Sequence, residues 1–584
     1  SDPIEPYHDR VREAVLARVA PARRRRYHAR LAAALTASGL VDKDPLAVVK
    51  HLEAAGLTAQ AGDLARRAAR RSSARAPAFE QIAALCDAAL RLGADQGDRD
   101  IRRELLVERA EALACAGRGP EAAAAYLLAS DELQDDEGFH CRRSAAEQLL
   151  ISGHTRRGLA LLREVIAAVG IRYPRSTAAA RRALVARTLW IAVRGVDFEV
   201  RALADPELCR RYEVFRAASL GLGMVDPVVG AGFCAAGLQC ALRIGDPRRV
   251  AYALSYHAMY VAAGGDRMIE RARKMVVRAT ALARECRSRL LLAIARAAEG
   301  IVEYFAGNLI QSIDVMVDAE EQLRNHTYGT AGELNHLRMF LLFAMRRHGG
   351  FGELRPRYDE YVRDALRRGD RYAATSFRWS ANVAWLAADD VERAHAELEA
   401  ASWAEGERLH LQHWFHARAV TELALYEGAD DRFEAAEAEL RRFLDGVLDH
   451  VQIVRVETAI ELARICIRRG DAAGARTHLA RIARDRSPFL RAIAELLEAA
   501  IAMLGGDKHA ARVHLDKAIT CSAFELPVIG ALARRRLGEI TEGSSGARLI
   551  AEADAILLHH GVTSPIRFAQ VFATWPTARP PEAR

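Results

Sequence analysis

The apolar positions of residues 459–485 fall into two helical stripes separated by a Gly-Asp pair. Ile460, Ala463, Ile465 and Cys466 lie at mostly helical spacing, and Ala475, Leu479 and Ile482 form a second stripe on one helix face. Between them, Gly470 suits the left-handed position that ends a helix because it has no Cβ, and Asp471 can accept from the first free N–H groups of the next helix. The stretch predicts a helical hairpin. Shifting Gly470 onto Gly506 carries Asp471 onto Asp507, Ala475 onto Ala511, Leu479 onto Leu515 and Ile482 onto Ala518. A hairpin that recurs in register predicts an α-solenoid.

The same register recurs along the chain. Gly56 leads Ala61, Ala65 and Ala68; Gly117 leads Ala122, Tyr126 and Ala129; Gly153 leads Gly158, Leu162 and Val165; Gly307 leads Ser312, Met316 and Ala319. Asp389 leads Ala394, Leu398 and Ala401, Arg267 anchors a degenerate copy (Ala272, Val276, Ala279), and Gly428 needs three extra residues before Ala436 and Leu440. Neighbouring anchors stand 36 to 42 residues apart, beyond the tetratricopeptide period of about 34; longer helices or turns would supply the difference. Two helices are expected over residues 9–19 and 22–37, split at Ala20-Pro21, and a loop over 70–77. Residues 171–200 leave the pattern, with Tyr173-Pro174 running into a long Arg/Ala helix through Trp190. A Gly/Ser loop is expected at 543–546, a helix at 547–559 and a last ordered piece at 561–572. The expected division is a helical segment at 1–40, a first array at 41–170, an insertion at 171–204, a second array at 205–542, capping helices at 543–575 and a disordered tail at 576–584.

Composition supports an all-α reading. A 584-residue chain with 51% hydrophobic but only 6% aromatic residues suits closely packed helices with small contact residues. Val and Ile sit inside helical patterns, so no sheet is expected. The net charge of +8 arises from 84 basic residues interleaved with 76 acidic ones, and only five of the basic residues are Lys. That reads as a solvated surface with Arg used by default, and no specific nucleic-acid partner follows; the run from Arg23 to Arg26 reads as a solvated helix start. Nine scattered cysteines without a C-x-x-C pair predict reduced thiols and a cytoplasmic protein.

From residue 217 to 242 the single charge is Asp226, but Pro227 follows it and five glycines interrupt the run. A central Asp costs about 2.5–3.5 kcal/mol on insertion scales, so two buried helices broken at Asp226-Pro227 are expected, not a membrane span. The chain opens S-D-P-I-E-P-Y-H with no initiator Met and no apolar leader, and is expected to be a piece of a longer protein.

Several stretches carry a resemblance. Y-H-D-R-V-R-E-A-V-L-A-R-V (7–19) and R-R-R-R-Y-H-A-R-L-A-A-A-L (23–35) resemble the segment that closes the helical or winged-helix part behind a signalling ATPase module. R-R-Y-E-V-F-R-A-A-S-L-G-L-G-M-V-D (210–226), A-Y-A-L-S-Y-H-A-M-Y-V-A-A-G-G (251–265), N-V-A-W-L-A-A-D-D-V-E-R-A (382–394), L-H-L-Q-H-W-F-H (409–416) and G-V-T-S-P-I-R (561–567) together resemble the C-terminal half of large bacterial, myxobacterial-type serine/threonine protein kinases. Those proteins carry an ATPase module and tetratricopeptide-like repeats after the kinase domain. The resemblance implies a regulatory, protein-binding region of a signalling protein, with kinase and nucleotide sites upstream of Ser1, and carries over no catalytic residue.

No Lys follows a Gly, so no G-x-x-x-x-G-K-[ST] loop exists; H-R-D and D-F-G are absent, A-V-V-K (47–50) has no glycine loop before it, and H-D-R (8–10) is not H-R-D. G-S-S-G at Gly543 lacks the nucleophile elbow. No enzyme activity and no cofactor are expected of this chain. The polar cluster H-L-Q-H-W-F-H offers His410 and His413 as candidate metal ligands, with Glu405 or Glu407 completing a set; His416 lies about 240° round the helix from His410. The competing expectation is a repeat helix in which Trp414 packs and the histidines hydrogen-bond or face solvent. The function read here is a binding module whose exposed helix faces grip a peptide, a partner domain or the upstream kinase and ATPase domains. The alternatives are an enzyme with a pocket between repeats, or the sensor repeats of an ATPase-linked transcription regulator. The last predicts a C-terminal helix-turn-helix module, for which residues after Trp575 leave no room.

Overall fold

The hairpins are set by one recurring turn. In the computed structural model Gly470 has φ +77°, and its N–H and that of Asp471 close back on Ile467 O (3.1 Å) and Cys466 O (2.8 Å), while the Asp471 carboxylate accepts from Gly474 N at 2.8 Å. The same double closure and Asp cap recur at Gly506-Asp507 and at Gly369-Asp370. Asp389 takes the left-handed position itself, with φ +60°, and Asp390 caps the helix that follows. Such a turn satisfies the orphan carbonyls of one helix and the orphan N–H groups of the next within four residues.

Residues 17–576 are described apart from 76–77, 96, 134, 202, 224, 327, 402–409, 430–431, 445–450 and 483–486, and apart from the side chains of 72–75, 135 and 326. Among the described residues the secondary structure is helical, without strands, and most successive helices pack against each other as hairpins. The chain is an all-α helical-hairpin solenoid. Each stripe residue from Ala61 to Ala518 that the register singles out is buried. Where the two helices of a hairpin approach closely, the small residue is required: a Cβ on Gly158 would stand 2.8 Å from Leu150 Cγ.

Two compact units are present, residues 1–149 and residues 150–584. In the first, helices run Pro21–Ala37, Pro45–Ala54, Thr58–Arg75, Phe79–Arg91, Arg99–Cys115 and Gly119–Glu132, followed by the start of Asp135–Ile151. The expected helix over 9–19 falls almost wholly outside the described residues, as do Glu405, Glu407 and the tail after Pro576.

In the second unit the helix Thr177–Arg194, which the repeat register does not reach, lies against Pro227–Ile244, with Arg187 Nη1 donating to Gly232 O at 2.9 Å. Pro227–Ile244 is the one described helix long and apolar enough to cross a membrane, and 83% of it is buried in the protein. Its start is fixed by Asp226, whose carboxylate accepts from Val229 N at 3.3 Å.

Three expectations are corrected. The left-handed residue of the 266–285 hairpin is Gly265, φ +100°, and Arg267 lies in the first turn of Asp266–Glu285; the helix starts three residues earlier relative to its stripe than in the copies at Ala472 and Lys508. Residues 70–75 are not a loop but the end of Thr58–Arg75. The expected Gly/Ser loop is instead the first turn of Gly543–His559, where Gly546 abuts the backbone oxygens of Thr541 and Gly538, an approach a Cβ would forbid.

Candidate functional site

Within the first unit, alternate helices contribute to one open groove of about 850 Å³: Arg70 from Thr58–Arg75, the 100, 103, 104, 107, 108 and 111 positions of Arg99–Cys115, and His140 and Cys141 from Asp135–Ile151. Spacings of three and four put the Arg99–Cys115 positions on one helix face. Asp100, Glu104, Glu108, Glu111, Asp136 and Glu137 face two arginines, Arg70 and Arg103. Arg70 pairs with Glu104, and Arg103 donates to Asp100 at 3.3 Å and to Glu132 O at 2.8 Å. Partial desolvation and then the neighbouring Glu108 charge raise the Glu111 pKa, and desolvation pushes the Cys141 thiol up to about 11. A strip of a basic chain thus carries excess negative charge in a concave surface, which favours cationic ligands.

The interior of the second unit is built differently. Helices Ala331–His348, Leu411–Glu427 and Gln452–Arg468 bring Arg346, Arg347, Arg418 and Arg464 together with Glu422, Glu457 and Glu461. Arg347 Nη2 donates to Glu457 at 2.9 Å, Arg346 pairs with Glu422, and Arg464 Nη1 donates to Glu461 at 2.7 Å. Burial alone would raise the Glu457 pKa, but Arg418, Arg347 and Arg346 outweigh it and hold the carboxyl at about 2. Glu461 goes the other way: burial raises it, and Arg464 only partly compensates. Environment separates two neighbouring carboxylates on one helix.

Pro565–Phe572 closes this interior. Phe572 lies between the guanidinium groups of Arg346 (5.4 Å to the ring centroid) and Arg464 (5.2 Å), and the Phe572 and Ala573 carbonyls accept from Arg464 Nη2 (3.4 Å) and Arg536 Nε (2.8 Å). Phe568 meets Phe351 edge-on at 5.3 Å, and Arg567 pairs at 2.5 Å with Asp389, the residue in the left-handed turn. Farther round, Glu525 accepts from Ile310 N at 3.0 Å and a Cβ on Gly349 would overlap Val528. The late repeats therefore return onto the hairpins that begin near residue 289.

His410 and His413 are brought together, with ring centroids 4.4 Å apart, but as a helix cap. His410 Nδ1 accepts from Gln412 N and His413 Nδ1 accepts from His410 N, both at 3.3 Å, which closes the N-terminus of Leu411–Glu427. His416 packs edge-on against Trp379, and Trp414 is buried with its indole N–H on Thr458 Oγ1 at 3.0 Å. No group of three or more His, Cys, Asp or Glu placed to hold a metal occurs among the described residues. The reading of the charged residues as solvated surface does not extend to the interior cluster, where, beside local pairs such as Arg464–Glu461, the pairs Arg418–Glu457, Arg346–Glu422 and Arg347–Glu457 span 39, 76 and 110 residues of sequence. Local charge patterning carries no signal for such pairs.

No family model matches the chain, and no curated protein matches it in sequence. Solved structures give distant helical likenesses. The Cut9-Hcn1 hetero-tetramer of the APC/C is 11% identical, with 85% of this chain and 86% of that one covered and a TM-score of 0.39. Naa15/Naa10 bound to HypK-THB is 11% identical, covering 92% and 100%, with a TM-score of 0.22. A circular tandem repeat protein is 14% identical, covering 88% and 97%, with a TM-score of 0.14. At these scores the likenesses carry no argument about function.

Proposed function

We propose that this chain is the protein-binding repeat region of a cytoplasmic bacterial signalling serine/threonine kinase that carries an ATPase module, and that its first unit holds a basic segment of a partner or of the upstream domains. The observation that carries the binding role is the 850 Å³ groove, because among its described lining residues alternate helices of the stack present six carboxylates and two arginines. Solenoids bind extended segments on such continuous surfaces. The kinase context rests on the quoted stretches of resemblance; the chain itself contains no phosphate-loop or kinase motif.

The groove is tested by fluorescence anisotropy with an Arg-rich peptide and a Glu-rich peptide of equal length. The Arg-rich peptide should bind, weaken steeply between low and high salt, and lose at least tenfold in affinity in Glu104→Lys/Glu108→Lys. Equal binding of both peptides, or binding that the double variant leaves unchanged, would sink the assignment. Reading the coding sequence upstream of Ser1 tests the kinase context separately; a frame without a phosphate loop and without H-R-D and D-F-G motifs overturns that part alone.

A further inference from the structure

A hollow of about 100 Å³ lies inside the second unit, between Pro247–Ala262, Ala331–His348 and Leu411–Glu427. Its walls include Tyr260, Phe305, Phe340, Phe343, Trp414 and Phe415, an unusual concentration in a chain with 6% aromatic residues. Among the described residues, no Asp, Glu, Lys or Arg lines it. One side chain has unspent hydrogen-bonding capacity. His336 stacks on Phe340 (5.3 Å between centroids, 15° between planes) and meets Tyr256 edge-on at 6.5 Å, yet its ring nitrogens form no hydrogen bond with any described residue.

Those features select a ligand class. An engineered apolar cavity of about 150 Å³ accepts benzene, so a hollow of about 100 Å³ admits at most a single ring and no fused system. Aromatic faces attract cations, but the Arg418 guanidinium already lies 5.0 Å from the Trp414 ring and 5.9 Å from that of Phe343, which disfavours an ammonium ligand. An anion finds no cation among the described lining residues and must be desolvated. A bare hydrocarbon leaves the imidazole without a partner once water is displaced. Burial pushes the His336 pKa down to about 4, so the ring is neutral near pH 7 and offers one donor and one acceptor nitrogen.

We propose that this hollow is a binding site for a small neutral phenol, with the ring held by the aromatic walls and the hydroxyl hydrogen-bonded to His336. The site is separate from the acidic groove of the first unit, and the two assignments stand or fall independently. It gives the second unit a sensing role.

The test is calorimetric titration of 4-methylphenol, toluene and benzoate into the full chain, its His336→Leu variant and its Ala263→Leu variant, where Ala263 lines the hollow. Circular dichroism checks that each variant keeps its helices. The expected result is saturable binding of 4-methylphenol at one site and none of benzoate. His336→Leu should weaken 4-methylphenol at least tenfold while leaving toluene unchanged, and Ala263→Leu should weaken both. Absence of saturable 4-methylphenol binding to the natural chain, an unaltered 4-methylphenol to toluene ratio in His336→Leu, benzoate binding as tight as the phenol, or full retention of binding in folded Ala263→Leu each overturns the proposal.

Discussion

Arg418 and Glu457, on helices of successive hairpins, form an ion pair of 2.6 Å with both side chains withdrawn from solvent. Arg418 also donates to Ser380 O at 3.0 Å, so its guanidinium joins three hairpins. Removing one partner leaves the other charged in a medium that cannot solvate it. Glu457→Gln and Arg418→Met should each destabilise by about 3–5 kcal/mol, read as a fall in the thermal midpoint. The double variant should lose less than the sum, because the two share one interaction.

Acid should unfold the second unit partly through the same carboxylate. The folded Glu457 pKa of about 2 lies below the ordinary glutamate value near 4.5. A depressed folded value means stability that is complete above about pH 4.5 and lost as the pH falls toward 2. Denaturant midpoints followed across that window should drop less steeply in Glu457→Gln than in the natural chain.

His257 acts in a higher window. It is buried with neither ring nitrogen hydrogen-bonded, and burial, followed by the Arg271 charge, lowers its pKa from 6.5 to about 4. The unfolded chain then takes up the proton first, so stability is lost as the pH falls from about 6.5 to 4. His257→Leu should flatten the stability profile over that range. It should also stabilise the protein at pH 5, since an unpartnered buried polar group costs about 1–3 kcal/mol.

Two glycines of the same backbone type should respond differently to a methyl group. Gly470 (φ +77°) has nothing within 4 Å of an added Cβ, so Gly470→Ala carries only the left-handed penalty of about 1–2 kcal/mol. Gly349 (φ +94°) would drive its Cβ into Val528. Gly349→Ala should therefore lower the thermal midpoint further than Gly470→Ala. Equal losses would show that the contact between the early and late hairpins is not closed in solution.

Phe572→Ala should be among the costliest single truncations, at about 3–5 kcal/mol. Besides the vacated volume, Arg346 and Arg464 lose the ring between them. Replacing Phe572 with Leu should recover part of the packing without the interaction with the ring face.

What the sequence revealed and concealed follows from the range of each interaction. The turn at Gly470-Asp471 and the stripe Ala475, Leu479 and Ile482 are settled within thirteen residues, and spacing alone finds them. Register marks Asp389 although no glycine stands there, but it does not mark Gly265, because that helix begins three residues early and Arg267 takes the anchor's place in the spacing. The Gly543 turn was read as a loop because serines and glycines are turn residues locally; the close approach of Gly546 to Thr541 and Gly538 is what makes them helical. Arg418 meets Glu457, and Phe572 meets Arg346 and Arg464, only after several hairpins have stacked. His410 and His413 were legible as a pair, but their use as a cap depends on the direction in which the chain enters the helix, which composition does not encode.

An open solenoid can gain or lose a repeat at small expense, since each hairpin meets only its neighbours. The return of Val528 onto Gly349 and of Glu525 onto Ile310 removes that freedom. Between those positions the number of hairpins is a counted quantity: one more or one fewer would carry Arg567 away from Asp389 and Phe572 out from between its two arginines. Duplication and deletion, the usual means by which repeat proteins change length, are thereby closed to this part of the chain, and its divergence must proceed by substitution within a fixed tally of turns.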